Sequence, residues 1–111
     1  MSQVINVSDP EKFDFDQEVL EAQTPVLLYF WADWCGPCKL VSPSIEWAAK
    51  NYGDRLKVFK LKVDAHSDTV KHCKVEGVPA LRLYQDREMV KSHEGAIGKQ
   101  TLQAMLDNHC S

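Results

Sequence analysis

Residues 26–53 read VLLYFWADWCGPCKLVSPSIEWAAKNYG, which is a strand, a corner and a helix in that order. Val26 to Ala32 is an uninterrupted apolar run, rich in aromatic and branched residues, with Pro25 before it and a polar corner after it. Continuity rather than alternation predicts a strand buried on both faces, as in parallel sheets. Val26, Leu28 and Phe30 then share one face, and Leu27, Tyr29 and Trp31 the other. From Pro37 onward, Val41, Ile45, Ala48, Ala49 and Tyr52 recur at helical spacing, and Gly53 supplies a stop. Pro43 inside this helix should bend it. Two cysteines, Cys35 and Cys38, stand where the strand gives way to the helix.

The flanks extend the pattern. QVINVS at the start predicts a short edge strand. Asp9-Pro10 is a helix-start signal, and Phe13 and Leu20 supply the buried stripe of a helix ending near Ala22. RLKVFKLKVD predicts a second central strand, with Phe59, Leu61 and Val63 on one face and Val58, Lys60 and Lys62 on the other. A short polar helix follows at about residues 67–73. ALRLYQ and EMVKSHEG read as an antiparallel pair joined at Asp86-Arg87, a weak turn because Arg resists positive φ. The last helix carries Leu102, Leu106 and Cys110 at i, i+4 and i+8. This alternation predicts an α/β chain with a mixed sheet and helices on both faces.

With 111 residues, the chain is expected to form a single domain over residues 1–111. Apolar residues make up 44%, enough for a core. The net charge of −3, without a basic run, argues against nucleic acid or an anionic membrane as partner. No apolar stretch approaches the ~20 residues of a membrane span, and the start MSQVINVSDPEKF has no signal-peptide character. The expectation is a cytoplasmic protein. In a reducing cytosol, four cysteines point to catalysis or metal binding rather than a structural framework.

If Pro37 and Cys38 open the helix, Cys35 lies at its N-terminal edge, where free amides and the helix dipole favour a thiolate. The thiolate is the attacking species in disulfide exchange, and the spacing lets the second thiol reach the first sulfur. Gly36 and Pro37 add no ionisable group between them, which points to a reductant rather than a strong oxidant. The competing role is half of a zinc site. That would need a second close ligand pair, whereas Cys73 and Cys110 stand alone and His66, His72, His93 and His109 are scattered, so redox chemistry is the favoured reading.

Trp34-Cys35-Gly36-Pro37-Cys38-Lys39, together with Pro43, Lys60, Gly77-Val78-Pro79 and Gly95, resembles the thioredoxin family over essentially the whole chain. The resemblance implies a thioredoxin fold, an α/β arrangement with a central mixed β-sheet of about five strands and about four flanking helices. It implies protein disulfide reduction with Cys35 as exposed nucleophile and Cys38 as buried resolving cysteine. Pro79 would be a cis-proline facing the pair, and Val78 would pair its backbone with a substrate strand. Trp34, Gly36, Pro37, Gly95 and Ala96 would form the docking surface. No cofactor beyond the Cys35–Cys38 disulfide and no metal is implied. The implied partners are disulfide-bearing target proteins and a thioredoxin reductase, NADPH- or ferredoxin-linked; a monomer is expected. The reading from another class is a redox-independent binding module that uses the same surface.

One position departs from the family pattern. Where a buried aspartate usually lies beneath the second cysteine, this chain has Tyr29, resembling a minority subtype that includes some cyanobacterial thioredoxins. A phenol with an ordinary pKa of ~10 is a poor base at neutral pH. Tyr29 and Lys60 are candidates for positioning a water that takes the proton from Cys38; for Tyr29 the competing role is core filling with a satisfied hydroxyl. Glu94 stands where the docking rim is usually apolar, a candidate for partner choice or a solvated strand-end charge. Cys110 is expected in the core. Cys73 falls near a helix end and is a candidate exposed position, where a regulatory or dimer-forming thiol is the lesser reading.

Overall fold

The structure, a computed structural model, describes residues 3–110. Strand β2 (Val26–Trp31) forms the centre of the sheet, as its unbroken apolar run predicts. β3 (Lys57–Lys62) runs parallel to it on one side, setting Tyr29 beside Lys60. β4 (Ala80–Gln85) runs antiparallel on the other, setting Tyr29 beside Leu81. β1 (Ile5–Val7) adds parallel to β3, and β5 (Glu88–Glu94) adds antiparallel to β4, giving the order β1-β3-β2-β4-β5.

The two faces of β2 divide the core as the alternation requires. Leu27 and Tyr29 pack with Val58, Leu81 and Leu83 beneath α1 (Gly36–Tyr52) and α3 (Lys99–Asp107). Val26, Leu28 and Phe30 pack with Phe59, Leu61 and Tyr84 on the face that carries Phe13, Val19 and Cys73, beside α2 (Ser67–His72). Each fully buried aliphatic or aromatic side chain of this kind contributes about 1.5–3 kcal/mol. Helix α1 contains Pro43 and ends at Gly53, whose φ of 54° is a left-handed value that suits glycine.

Two local expectations, the helix over 10–22 and the exposure of Cys73, meet a different structure, while the hairpin turn and the burial of Cys110 hold with a change of detail. The helix predicted from Pro10 to Ala22 is two short pieces, a 3-10 turn over Pro10–Lys12 and a π-helical turn over Asp16–Leu20. Two acids divide it. Asp9 caps the first piece through Glu11 N–H at 3.0 Å, and Asp14 accepts from Gln17 N–H at 3.2 Å and starts the second. Phe13 and Val19 are its buried residues, and Leu20 is half-buried.

The hairpin turn is at Asp86-Arg87, but both residues adopt left-handed φ, 54° and 72°, the pattern of a type I′ turn usually met by Asn-Gly. The β4–β5 register shifts beside Leu83, leaving Val90 as an extra residue. Cys110 is buried as expected, although α3 ends before it; its N–H bonds Leu106 O at 2.9 Å. Cys73 is not exposed. It caps the end of α2 with 1% exposure, and its sulfur lies 3.4 Å from the Tyr84 hydroxyl, because the chain turns inward there toward β4.

Candidate active site

The corner after β2 brings Cys35 to the N-cap of α1, with extended backbone and its Sγ accepting the Cys38 N–H at 3.2 Å. Pro37 fits the first turn, where its missing N–H leaves no helical bond unmade. Cys35 and Cys38 are joined in a disulfide, with their Cα atoms 5.4 Å apart. The sulfur at the N-cap faces free amide groups and the positive end of the helix, which favours a thiolate there once the pair is reduced. Exposure does not separate the two residues in this oxidised state, at 4% and 3%; position on the helix does.

Ala32, Cys35 and Cys38 form a small apolar cluster against which Trp31, Val63 and Val78 pack. The Val78–Pro79 peptide is cis. Pro79 is buried and Val78 half-buried. Pro79 O accepts the Gly95 N–H at 2.8 Å, which draws the end of β5 alongside. Beside the cysteines in sequence, Trp34 is 70% exposed and Gly36 and Pro37 are exposed; Gly95, bonded to Pro79, and Ala96 after it are exposed as well. Gly95 has φ 101°, a value that strains any residue with a Cβ.

Tyr29 lies beneath this corner with 1% exposure. Its hydroxyl donates to Cys38 O at 2.8 Å and lies 3.3 Å from Ser42 Oγ, which itself donates to Cys38 O at 3.1 Å. Burial raises the phenol above its ordinary pKa of 10.0, and the Ser42 contact offsets this only in part. Tyr29 is therefore protonated at neutral pH and holds a carbonyl. Lys60 does not touch Tyr29 by a hydrogen bond; its Nζ lies over the Trp31 ring, 4.4 Å from the centroid. Tyr29, Ser42, Glu46 and Lys60 share the lining of a cleft of about 190 Å³. Cys38 is not among the residues lining it.

Ser42 was missed by sequence reasoning. Its signal is its spacing, four residues after Cys38 in a helix, which brings a serine hydroxyl to the earlier carbonyl. Glu94 is neither a free rim charge nor a solvated strand end: it pairs with Arg82 at 2.6 Å. Among the described residues, no group of three or more His, Cys, Asp or Glu side chains is placed to hold a metal ion.

A family model described as thioredoxin matches residues 4–108. The chain belongs to the thioredoxin family. A thioredoxin-like protein of Synechocystis is 52% identical over 93% of this chain and 92% of its own length. The thioredoxin of Pseudomonas aeruginosa is 41% identical over 94% of each. The crystal structure of Malassezia sympodialis thioredoxin superposes with a TM-score of 0.85 at 27% identity, covering all of this chain and 94% of the other. The sheet and its helices are thus the thioredoxin fold, and the protein is a disulfide oxidoreductase built around the Cys35–Cys38 pair.

Proposed function

We propose that the chain reduces disulfides of other proteins, with Cys35 as nucleophile and Cys38 as resolving cysteine. The observation that carries this reading is the position of Cys35 Sγ at the N-cap of α1, 3.2 Å from the Cys38 N–H. In the reduced protein, the Cys35 thiolate attacks one sulfur of the target disulfide. A mixed disulfide forms, and the other target sulfur leaves as a thiolate. Cys38 then gives up its proton and attacks Cys35 Sγ. The second target sulfur departs, and the chain keeps the Cys35–Cys38 disulfide. Two electrons pass to the target.

Val78 pairs with the target strand, and Trp34, Gly36, Pro37, Gly95 and Ala96 receive the segment around its cysteine. Their exposure supports this assignment. The proton of Cys38 goes to water. The cleft beside Tyr29, Ser42 and Lys60 is roomy enough for several molecules. Tyr29 holds the Cys38 turn through its carbonyl, and Lys60 lines the cleft.

The electrons return to the pair from a separate thioredoxin reductase, NADPH- or ferredoxin-linked, and the disulfide itself carries them with no further cofactor. The chain works as a monomer in a reducing cytoplasm on this reading.

Insulin reduction by dithiol-charged protein tests the roles. Cys35→Ser should abolish it, and Cys38→Ser should accumulate covalent mixed disulfides through Cys35. Equal trapping by both variants would contradict the assignment. Coupled assays with each reductase class identify the donor.

A further inference from the structure

Arg82 is a cation in the middle of β4, with 4% exposure between Leu81 and Leu83. Its guanidinium spreads over the sheet face that carries α2. Nε donates to Cys73 O at 2.9 Å and Nη1 to Leu81 O at 3.0 Å. Nη2 donates to Lys74 O at 3.1 Å and to Glu94 Oε2 at 2.6 Å. Arg82 stands opposite Ser92 and Ala80 opposite Glu94, so the pair are diagonal neighbours across two antiparallel strands. The same Glu94 oxygen accepts the Glu76 N–H at 3.3 Å.

Three segments meet at this ion pair. The first is the end of α2, where Lys74 turns with φ 55°. The second is the loop through Glu76 that leads into Val78 and the cis peptide at Pro79. The third is the end of β5, immediately before Gly95 and Ala96. A guanidinium suits the task because its planar fork satisfies several acceptors at once, which an ammonium point charge does not. The bond from Arg82 also draws the Glu94 carboxyl below its ordinary range, so it is ionised at neutral pH.

We propose that Arg82 and Glu94 are positioning residues for target docking. Their ion pair holds Val78–Pro79 and Gly95–Ala96, the two sides of the rim, in a fixed relation before a target arrives. An extended peptide then meets a preformed edge, and the cost of ordering two loops is not charged to binding. The inference rests on the reading that this rim receives protein substrates.

The test compares insulin with a small aromatic disulfide that has no peptide strand to dock. Glu94→Ala should raise KM for insulin by about 5-fold with kcat within about 2-fold, the signature of lost binding rather than lost chemistry. The exchange rate with the small disulfide should stay within about 2-fold of the parent. Glu94→Gln keeps an acceptor for Arg82 and Glu76, so it should restore more than half of the lost insulin affinity. It also serves as the test if the alanine variant is too unstable, since it should then still raise KM by about 2-fold. Ala96→Asp, on the rim itself, should raise KM for insulin as well.

An unchanged KM in the Glu94 variants with a raised KM in Ala96→Asp overturns the positioning role alone. Unchanged KM in all three overturns the docking surface and the positioning role together. Equal losses with insulin and the small disulfide also overturn the proposal, because they would place the effect on the cysteines.

Discussion

Replacing Tyr29 by aspartate puts an acid beneath Cys38 and tests what the phenol does. The ring is buried between Lys60 of β3 and Leu81 of β4. Removing a buried aromatic ring costs about 3–5 kcal/mol by cavity formation. The shorter aspartate side chain stops well short of the phenol oxygen's position, so its carboxyl does not take over the contacts to Ser42 and Cys38 O and recovers little of that loss. A loss of about 3–5 kcal/mol at neutral pH is expected, which a domain of ordinary stability survives. The control, Tyr29→Phe, should lose about 1 kcal/mol or less, because the Ser42 hydroxyl still satisfies Cys38 O.

The pH dependence has a definite sign. Burial raises the folded-state pKa of the new aspartate above its unfolded value of ~3.9. Between those two values the folded state holds more protons, so stability falls as pH rises through that window and is level above it. Urea unfolding of the oxidised form at several pH values measures this. Stopped-flow fluorescence of mixed-disulfide resolution measures the chemistry. The aspartate should speed resolution several-fold, well below the ~10²–10⁴ of an ideally placed base. Tyr29→Phe should stay within about twofold of the parent, since a phenol protonated at neutral pH is not the base. Slowing by about tenfold or more in Tyr29→Phe would refute the reasoning and make the phenol itself the proton carrier.

Iodoacetamide at pH 8 should label the reduced protein at the active site and leave Cys73 and Cys110 untouched until denaturant is added. Burial raises both of those thiols, Cys110 to about 11, so labelling of Cys110 should rise only as pH approaches that value, as mass spectrometry would show. Arg87→Gly should stabilise the domain by about 0.5–1 kcal/mol, because it relieves a left-handed φ of 72° in the hairpin. A lowered melting temperature would count against that account. Phe30→Ala, at a fully buried site on β2, should cost about 3–5 kcal/mol in denaturant unfolding without changing insulin KM beyond twofold.

Where one physical rule dominated, the sequence was readable. The unbroken apolar run of β2 left one strand type, and period-two alternation then divided its two faces correctly. Pro37 and Gly53 marked the ends of α1 because a proline and a glycine have few other places in a helix. Competition between local and distant groups was harder to read. Asp9 and Asp14 each offer side-chain caps, and two caps cut one expected helix into two. The fates of Cys73 and Glu94 depend on Tyr84 and Arg82, which come from a different element, β4. Arg82 did leave a trace, as a lone cation in ALRLY, but its carboxylate partner is on the next strand and in no fixed local spacing. The neighbourhood of Tyr29 was foreseeable; its bond to a backbone carbonyl was not, because side-chain spacing carries no information about a hydroxyl's acceptor.

The extra residue at Val90 bears on how this sheet behaves among other chains. β5 is an edge strand, and an edge presents unpaired amides and carbonyls that can template a neighbour. A bulge twists that edge, and exposed Glu88 and Lys91 place charge on either side of it. At the opposite edge, β1 is only three residues long. Both borders are thus poor sites for another strand to add on. A chain with both borders blunted in this way is guarded against fibre-like self-association in concentrated solution.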